Sequence, residues 1–383
     1  LVKVLGEQLI ASERVGVLEL VKNSYDAGAS FCRVRIEKVP GLAEIENSIY
    51  EFSEYEGPAI VLEDDGKGMT WREIEYGWLR PASTLKTNVK VRLKAERLAA
   101  IEKGSLKTFD RFIKILKSEH GGRIPLGEKG VGRFATHRLG RNLLIKTKVK
   151  ELDYEYVLRI NWDEFDMVSD EIVDLDSIGV KLTRQAPSRD YGERGSGTQI
   201  IIFGGRKEFG LTEKEIVEIN RTLNKLNSPN PKPDAQEQKF TATLECPQIP
   251  MLDDKSVAEK FESIFTILGI VDEQGVFEYD LSFIPPPPVP MSKDLRSNRI
   301  IDLRSISETK KYWQLPENEE LLRTPNCGPF YIHLNVWYRR PPWIDGPFAE
   351  EFKDHLEEYG GISVYRDGIN VFPAEWGAET DWL

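Results

Sequence analysis

The spacing of hydrophobic and polar positions predicts a strand-rich α/β region over residues 1–205. From Leu5 to Ala27, apolar residues recur at helical spacing without a proline, and Gly28 follows as a helix-ending glycine, so we expect one long helix with a risk of a break at Gly16. Six segments have the alternating or continuous apolar pattern of strands. These are Phe31–Val39, Ala59–Glu63, Asn142–Val149, Tyr154–Trp162, Gly179–Ala186 and Gly197–Phe203.

Two shorter signals complete this first region. Thr70, with Glu73 three positions later, predicts a capped helix after the second strand. Residues 86–117 carry ten Lys or Arg and three Asp or Glu, a local net charge of +7, and their intermittent apolar positions indicate a helical insertion.

The remainder, residues 206–383, is expected to form a second α/β domain. The boundary is placed near 205–210, before an amphipathic helix over Leu211–Asn227, and prolines interrupt the chain at Ser228–Pro233 and at Pro285–Pro288. Predicted strands and helices follow: strands at Lys239–Cys246, Val276–Phe283, Phe330–Arg340 and Ile362–Phe372, helices at Ser256–Ile267 and Phe348–Tyr359. Because the sequence starts at Leu1 and stops within a pattern at Leu383, we expect it to be part of a longer chain, truncated in the second domain.

Composition narrows the class of protein. With 52 Lys and Arg against 63 Asp and Glu, the net charge of -11 argues against a protein that coats DNA. No apolar run approaches the roughly 20 residues of a membrane-spanning helix. The three cysteines, Cys32, Cys246 and Cys327, are too far apart to indicate a disulfide framework or a metal knuckle, which favours a reducing, cytoplasmic location.

The first candidate site lies on the predicted long helix. Glu19, Asn23 and Asp26 are spaced i, i+4, i+7 and therefore share one helix face. A solvated polar stripe explains this spacing without any function. The alternative is the lining of a polar pocket, in which a carboxylate orients water and an amide oxygen ligates Mg²⁺ beside phosphates.

The second candidate is the segment Glu63–Met69, which follows a buried strand. A tight turn at the end of a strand accounts for its glycines. In the functional interpretation, Asp64 accepts a hydrogen bond from the amino group of adenine, Gly66 and Gly68 let the base approach the backbone, and Met69 supplies an apolar wall.

Two further motifs contain glycines. Gly127–Ala135 can point backbone N–H groups at a phosphate, or it is simply a flexible loop. It also fits a dinucleotide fingerprint, with Glu151 at a tolerable distance, but the proline-broken segment before it is a poor strand. Thr198, in Gly195–Thr198, opens a strand and could share a contact to water or adenine with Asp64.

The order of the four motifs resembles the GHKL superfamily of ATPases, which includes the DNA gyrase B subunit, the ninety-kilodalton heat-shock chaperone, sensor histidine kinases and MutL, with MORC proteins sharing the fold. The resemblance covers residues 1–205 and implies a Bergerat-type α/β sandwich that binds ATP and Mg²⁺, with helices on one face of a mixed sheet. It also implies residue roles. Glu19 would be the general base, Asn23 would ligate Mg²⁺, and Asp26 and Ala27 would line the pocket. Asp64 would recognise adenine with the support of Thr198, and Gly66, Gly68 and Met69 would surround the base. The phosphates would be held by Gly130, Val131, Gly132, Arg133 and Phe134.

The resemblance extends to a lid over residues 80–127 and to further phosphate contacts from Ser83, Thr84 and Lys129. The second domain is expected to be transducer-like, with Arg366 as the candidate that reaches the γ-phosphate, although Arg366 also fits an exposed residue beside a hairpin turn. Within this superfamily, the chain resembles MORC-like or chaperone-like proteins more than gyrase.

These implications describe an ATPase switch in which ATP closes the lid and two protomers dimerise. Glu19 distinguishes the chain from histidine kinases, which have Asn at this position, and none of its four histidines has a phosphoacceptor context. Phosphotransfer, a non-hydrolysing nucleotide sensor and a dinucleotide enzyme remain as alternatives. DNA or a protein client is the expected partner beyond ATP and a second protomer.

Overall fold

The computed structural model describes eleven continuous stretches of the chain and several isolated positions. The stretches are residues 12–42, 58–79, 106–119, 135–166, 180–204, 211–226, 240–250, 263–272, 276–283, 295–302 and 329–337, and the isolated positions are Arg123 and residues within 92–99 and 349–370. By their contacts the residues fall into two compact units. One consists of Leu1–Asp254 with Ser363–Gly377, and the other of Lys255–Ile362 with Ala378–Leu383.

Among the described residues, six helices and thirteen strands have defined bounds. The helices are α1 (Glu13–Asp26), α2 (Trp71–Ile74, continued by a π-helical turn over Glu75–Leu79), α3 (Leu106–Glu119), α4 (Ala135–Leu139), α5 (Trp162–Asp166) and α6 (Glu213–Leu226). The strands of the first unit are β1 (Phe31–Glu37), β2 (Ala59–Asp64), β3 (Asn142–Lys148), β4 (Glu155–Asn161), β5 (Lys181–Gln185), β6 (Gly197–Phe203), β7 (Thr241–Glu245), β12 (Tyr365–Arg366) and β13 (Ile369–Asn370). Those of the second unit are β8 (Phe265–Val271), β9 (Val276–Phe283), β10 (Leu295–Asp302) and β11 (Phe330–Val336).

The first unit contains a seven-stranded mixed sheet in the order β5-β4-β3-β6-β2-β1-β7. Only the β1–β7 pair is parallel, and the other neighbours are antiparallel. This sheet and its helices confirm the predicted mixed α/β fold. Since β7 extends the sheet, the first unit continues beyond the boundary expected near 205.

Helix α1 begins at Glu13 and ends at Asp26, within one residue of the predicted end at Ala27. The continuous helix predicted from Leu5 is wrong at Ser12, whose backbone is extended, and residues 1–11 lie outside the described residues. The Ser12 hydroxyl accepts a hydrogen bond from the Val15 N–H at 3.3 Å, which caps the first turn, and Gly28 follows the last turn with a φ of 74°. The helix runs without a break through Gly16. A Cβ at Gly16 would lie 3.2 Å from the Ala135 Cβ, so this glycine allows α4 to pack closely against α1.

Apolar side chains are buried on both faces of the large sheet. The main cluster joins alternate residues of β1, such as Val34 and Ile36, to the inner faces of α1 and α6. A second cluster uses the other residues of the central strands, namely Ala59, Val61, Leu144, Val157, Ile201 and Phe203. The resemblance implied that helices cover one face of the sheet only, yet this second cluster shows that apolar residues on the other face are buried as well.

The second unit contains an antiparallel sheet in the order β10-β9-β8-β11. Strands β9 and β11 begin where predicted. The helix predicted over Ser256–Ile267 is wrong from Phe265 onward, because those residues open β8, and β10 has no counterpart among the predicted strands. The run F-T-I-L-G-I-V of β8 is rich in β-branched residues, which favour strands.

The helical insertion is confirmed at the positions that are described. Helix α3 and described positions within 92–99 are helical, and Leu116 is fully buried. Among the described residues, no helix is both long enough and apolar enough to span a membrane.

Candidate nucleotide-binding site

The candidate site is centred on the buried carboxylate of Asp64, the last residue of β2. In the sheet Asp64 pairs with Cys32 of β1 and with Thr198 of β6, and Thr198 pairs in turn with Thr147 of β3. Directly opposed residues point to the same side of a sheet. The register therefore brings four side chains from four strands into one row below α1.

Three donors hold the Asp64 carboxylate. The Ser24 hydroxyl donates to Oδ2 at 2.8 Å, while the backbone N–H groups of Gly66 and Thr198 donate to Oδ1 at 2.9 and 3.2 Å. Burial raises the pKa of Asp64, and these hydrogen bonds together with the charge of Arg189 oppose that rise. The carboxylate is thus fixed in one orientation in an apolar setting.

The two glycines after Asp64 are required by close approaches of the backbone. A Cβ at Gly66 would lie 2.9 Å from the Ala27 Cβ and 3.0 Å from Asp64 Oδ1. Gly68 has a φ of +70°, and a Cβ there would lie only 2.0 Å from the Lys148 carbonyl oxygen. The turn therefore packs against both the end of α1 and the end of β3.

Thr147 is a site residue that the motifs did not indicate. Its hydroxyl accepts a hydrogen bond from the Met69 N–H at 2.9 Å and lies 3.0 Å from the Thr198 hydroxyl. It thereby joins two predicted base-contacting residues, Met69 and Thr198. A threonine near a strand end is common, and only the register of β3 against β6 identifies it.

Asp65 holds the turn on its other side. Its Oδ1 accepts from the backbone N–H groups of Ser30 and Phe31 at 2.7 and 3.2 Å, and Arg194 forms an ion pair with it at 3.1 Å. Arg194 also donates to the Gly28 carbonyl at 2.9 Å. Sequence reasoning missed Arg194, because nothing local connects it to a turn far away in the chain.

The predicted polar stripe lies on α1, the helix that contacts this carboxylate through Ser24. Glu19, Asn23 and Asp26 are half-buried on α1, and Ser24 of the same helix bonds Asp64. The Lys22 Nζ lies 3.0 Å from Glu19 Oε1, with both side chains partly exposed. The structure thus joins the first two motifs, and Ser24, which lies inside the first motif, is the residue that links them.

Arg123, within the predicted lid, is anchored beneath the end of α1. It is 4% exposed, and its NH1 donates to the Ala29 carbonyl at 2.7 Å and to the Tyr25 carbonyl at 3.3 Å. Its guanidinium also lies 4.4 Å from the centre of the Tyr25 ring. A cation is favourable here because carbonyl groups concentrate at the C-terminus of a helix.

The remaining predicted residues have no described side chain. Ser83, Thr84, Lys129, Gly130, Val131, Gly132, Arg133 and Phe134 lie outside the described residues. For Arg366 the structure describes the backbone, which forms β12 of a two-stranded hairpin with β13.

The described residues suit ATP with Mg²⁺. The buried carboxylate of Asp64 is an acceptor of the kind that the amino edge of a purine requires, and Met69 next to it supplies an apolar surface. The amide oxygen of Asn23 and the carboxylates of Glu19 and Asp26 are hard oxygen donors of the kind that Mg²⁺ prefers.

Comparison with known families agrees with this geometry. Residues 11–198 match the family model described as histidine kinase-, DNA gyrase B-, and HSP90-like ATPase. This part of the chain belongs to that family, the GHKL superfamily of ATP-binding domains. No curated protein is similar enough to match the chain.

Proposed function

We propose that this protein is a Mg²⁺-dependent ATPase that works as a molecular switch, closing its lid and dimerising through its N-terminal domain when ATP binds. The observation that carries the proposal is the connection of the α1 stripe to the buried Asp64 carboxylate through Ser24. One side of the site thus suits a purine, and the other presents carboxylate and amide oxygens.

In this proposal the residues of the site have separate roles. Asp64 accepts the adenine amino hydrogen, Thr198 and Thr147 support that contact, and Asp26 and Ala27 line the pocket. Asn23 would hold Mg²⁺, which supplies positive charge at the phosphates. Glu19 accepts a proton from the attacking water, as a bond forms from the water oxygen to the γ-phosphorus and the bond from that phosphorus to the ADP oxygen breaks.

Hydrolysis is preferred to phosphotransfer because of Glu19. A kinase has no need of a carboxylate that removes a proton from water, and the family includes both classes. The segment before Ala135 would cradle the phosphates with Ser83, Thr84 and Lys129. Arg366, which was expected to act from a transducer-like second domain, lies in β12 of the first unit and stays the candidate that contacts the γ-phosphate. The proposal also includes a partner of the kind that MORC-like or chaperone-like proteins act on, either DNA or a client protein.

Two substitutions test the site directly. Asp64→Asn should abolish ATP binding in calorimetry, since the amide presents a donor where the adenine amino group needs an acceptor. Glu19→Gln should keep ATP binding and lower phosphate release by at least about 100-fold, in the range of lost general-base catalysis.

A control separates these effects from general damage. Glu213→Gln removes an exposed carboxylate at the start of α6 and should leave both measurements unchanged. Wild-type turnover in Glu19→Gln would contradict the hydrolysis mechanism, and wild-type affinity in Asp64→Asn would contradict the adenine assignment.

A further inference from the structure

A segment between β5 and β6, residues 186–196, is fixed by a buried carboxylate. Glu155 is fully buried, and its Oε2 accepts from the Tyr191 hydroxyl at 2.6 Å while its Oε1 accepts from Gln185 Nε2 at 2.7 Å. Burial would raise the pKa of Glu155, but the hydrogen bonds from Tyr191, Ser188 and Gln185 outweigh it and lower the pKa. Glu155 is therefore an ionised anchor for Tyr191.

Tyr191 in turn positions Arg189. The Arg189 guanidinium lies 4.4 Å from the centre of the Tyr191 ring, within the range of a cation–π contact. Such contacts restrict a long side chain that otherwise has many rotamers. Glu155 thus restrains Tyr191, and Tyr191 in turn restrains Arg189.

Arg189 reaches the two residues at the end of β2. Its NH1 forms an ion pair with Glu63 Oε1 at 2.6 Å, and its NH2 donates to the Asp64 carbonyl at 3.3 Å. Its charge also opposes the rise in the pKa of Asp64 that burial causes. The same carbonyl is approached by Gly197, where a Cβ would lie 2.3 Å from it, so little room remains for Asp64 to move.

We infer that Arg189 is a positioning residue for purine recognition: it acts through Asp64, and Tyr191 and Glu155 hold it in place. The inference rests on the proposed function, in which Asp64 reads the 6-amino group. Arg189 fixes the backbone of Asp64 and favours its ionised form, which is the form that accepts hydrogen bonds with both oxygens.

The test compares ATP with purine riboside triphosphate, which differs from ATP only in lacking the 6-amino group. A hydrogen bond to an ionised acceptor should make ATP bind about 10- to 100-fold more tightly than this analogue in the wild-type protein. Arg189→Met should reduce this ratio by about fivefold or more, with the affinity for the analogue changed by less than about twofold. Arg189→Lys, which keeps the charge, should restore part of the ratio.

Two more variants make the test specific. Tyr191→Phe keeps the ring and removes the bond to Glu155, so it should reduce the ratio by a smaller factor even if Arg189→Met fails to fold. Arg184→Met is the matched control, because Arg184 is exposed and stacks on Tyr154 and Tyr156 away from Asp64. The control should keep the wild-type ratio.

The outcomes separate the inference from the proposed function. An equal loss of affinity for both nucleotides in the Arg189 and Tyr191 variants, or no loss, overturns the inference. If Asp64→Asn itself leaves the ratio unchanged, the adenine assignment fails. A ratio that falls in Asp64→Asn but not in Arg189→Met leaves the assignment intact and removes only the role of Arg189.

Discussion

Two adjacent aspartates at the end of β2 have opposite electrostatic roles. Asp64 is buried, which raises its pKa despite three hydrogen bonds. Asp65 is also partly buried, but its hydrogen bonds from Ser30 and Phe31 and the charge of Arg194 prevail and lower its pKa. Ionised Asp65 therefore stabilises the fold, whereas the ionisation of Asp64 opposes folding.

The first prediction concerns the pH dependence of stability. Asp65→Asn should lower the free energy of unfolding at pH 7 by about 1.5–3 kcal/mol, the range for hydrogen bonds to a charged group. Since the folded pKa of Asp65 lies below its ordinary 3.8, its contribution is complete above that value and is lost as the pH falls through the lowered pKa. Urea unfolding of both proteins from pH 7 to pH 2 should show their curves converging in acid.

The neighbouring position supplies the control. Asp64→Asn removes a buried charge while the Asn oxygen can still accept from Gly66 and Thr198, so at pH 7 it should cost little stability or increase it. A loss at pH 7 larger than that of Asp65→Asn would contradict the opposite roles.

The second prediction concerns two glycines with left-handed backbones. Gly68 and Gly192 have φ of +70° and +58°, but a Cβ at Gly68 would collide with the Lys148 carbonyl, while nothing lies within 4 Å of a Cβ at Gly192. Gly192→Ala should cost about 1–2 kcal/mol from backbone strain alone. Gly68→Ala should cost clearly more, measured by thermal unfolding, and equal losses would show that the turn can move away from β3.

At the scale of elements, local sequence signals define where helices begin. The box predicted at Thr70 is confirmed, because the Thr70 hydroxyl accepts from the Glu73 N–H and the Glu73 carboxylate accepts from the Thr70 N–H. Helix α6 starts with the same arrangement at Thr212 and Glu215. Such boxes depend on residues three positions apart, and the one at Thr70 is predicted from sequence, whereas the one at Thr212 is not among the predictions.

The third prediction tests the cap of α6, which packs its buried residues against the core of the first unit. Thr212→Ala should lower the free energy of unfolding by about 1 kcal/mol, since it leaves the Glu215 N–H without its acceptor. Thr212→Asn, which retains a capping oxygen, should recover most of the loss. Chemical denaturation compares the three proteins, and an equal loss for Ala and Asn would exclude capping as the cause.

Two of the described strands have no predicted counterpart. Strand β8 was partly read as a helix and β10 was not predicted, because short apolar runs satisfy either periodicity until their partners are known. Both strands acquire their hydrogen bonds from β9, which lies between them.

At the scale of the whole molecule, charge is distributed unevenly. The chain has a net charge of -11, yet residues 86–117 carry +7. In the described part of this segment, Arg111 and Lys114 of α3 are exposed. A basic insertion on an acidic chain can meet phosphates or an acidic partner surface, and such attraction is screened by salt.

The fourth prediction concerns assembly. With a non-hydrolysable ATP analogue and Mg²⁺, the proposed switch should elute from size-exclusion chromatography as a dimer, and as a monomer without nucleotide. Glu19→Ala should accumulate as the dimer with ATP itself, because hydrolysis no longer resets it. Asp64→Asn is the control and should stay monomeric, and a nucleotide-independent elution volume would contradict the switch.

The sequence alone determined the capping box at Thr70, most strands of the first unit and the order of the four motifs, since these depend on neighbours within a few positions. The same local patterns predicted Glu19, Asn23, Asp26, Asp64, Gly68 and Met69 as site residues, and their roles stay predictions. Tertiary structure alone identified Ser24, Thr147, Arg123, Arg189 and Arg194 as supports of the site. Each acts on residues distant in the chain, and only sheet register and packing bring such residues together.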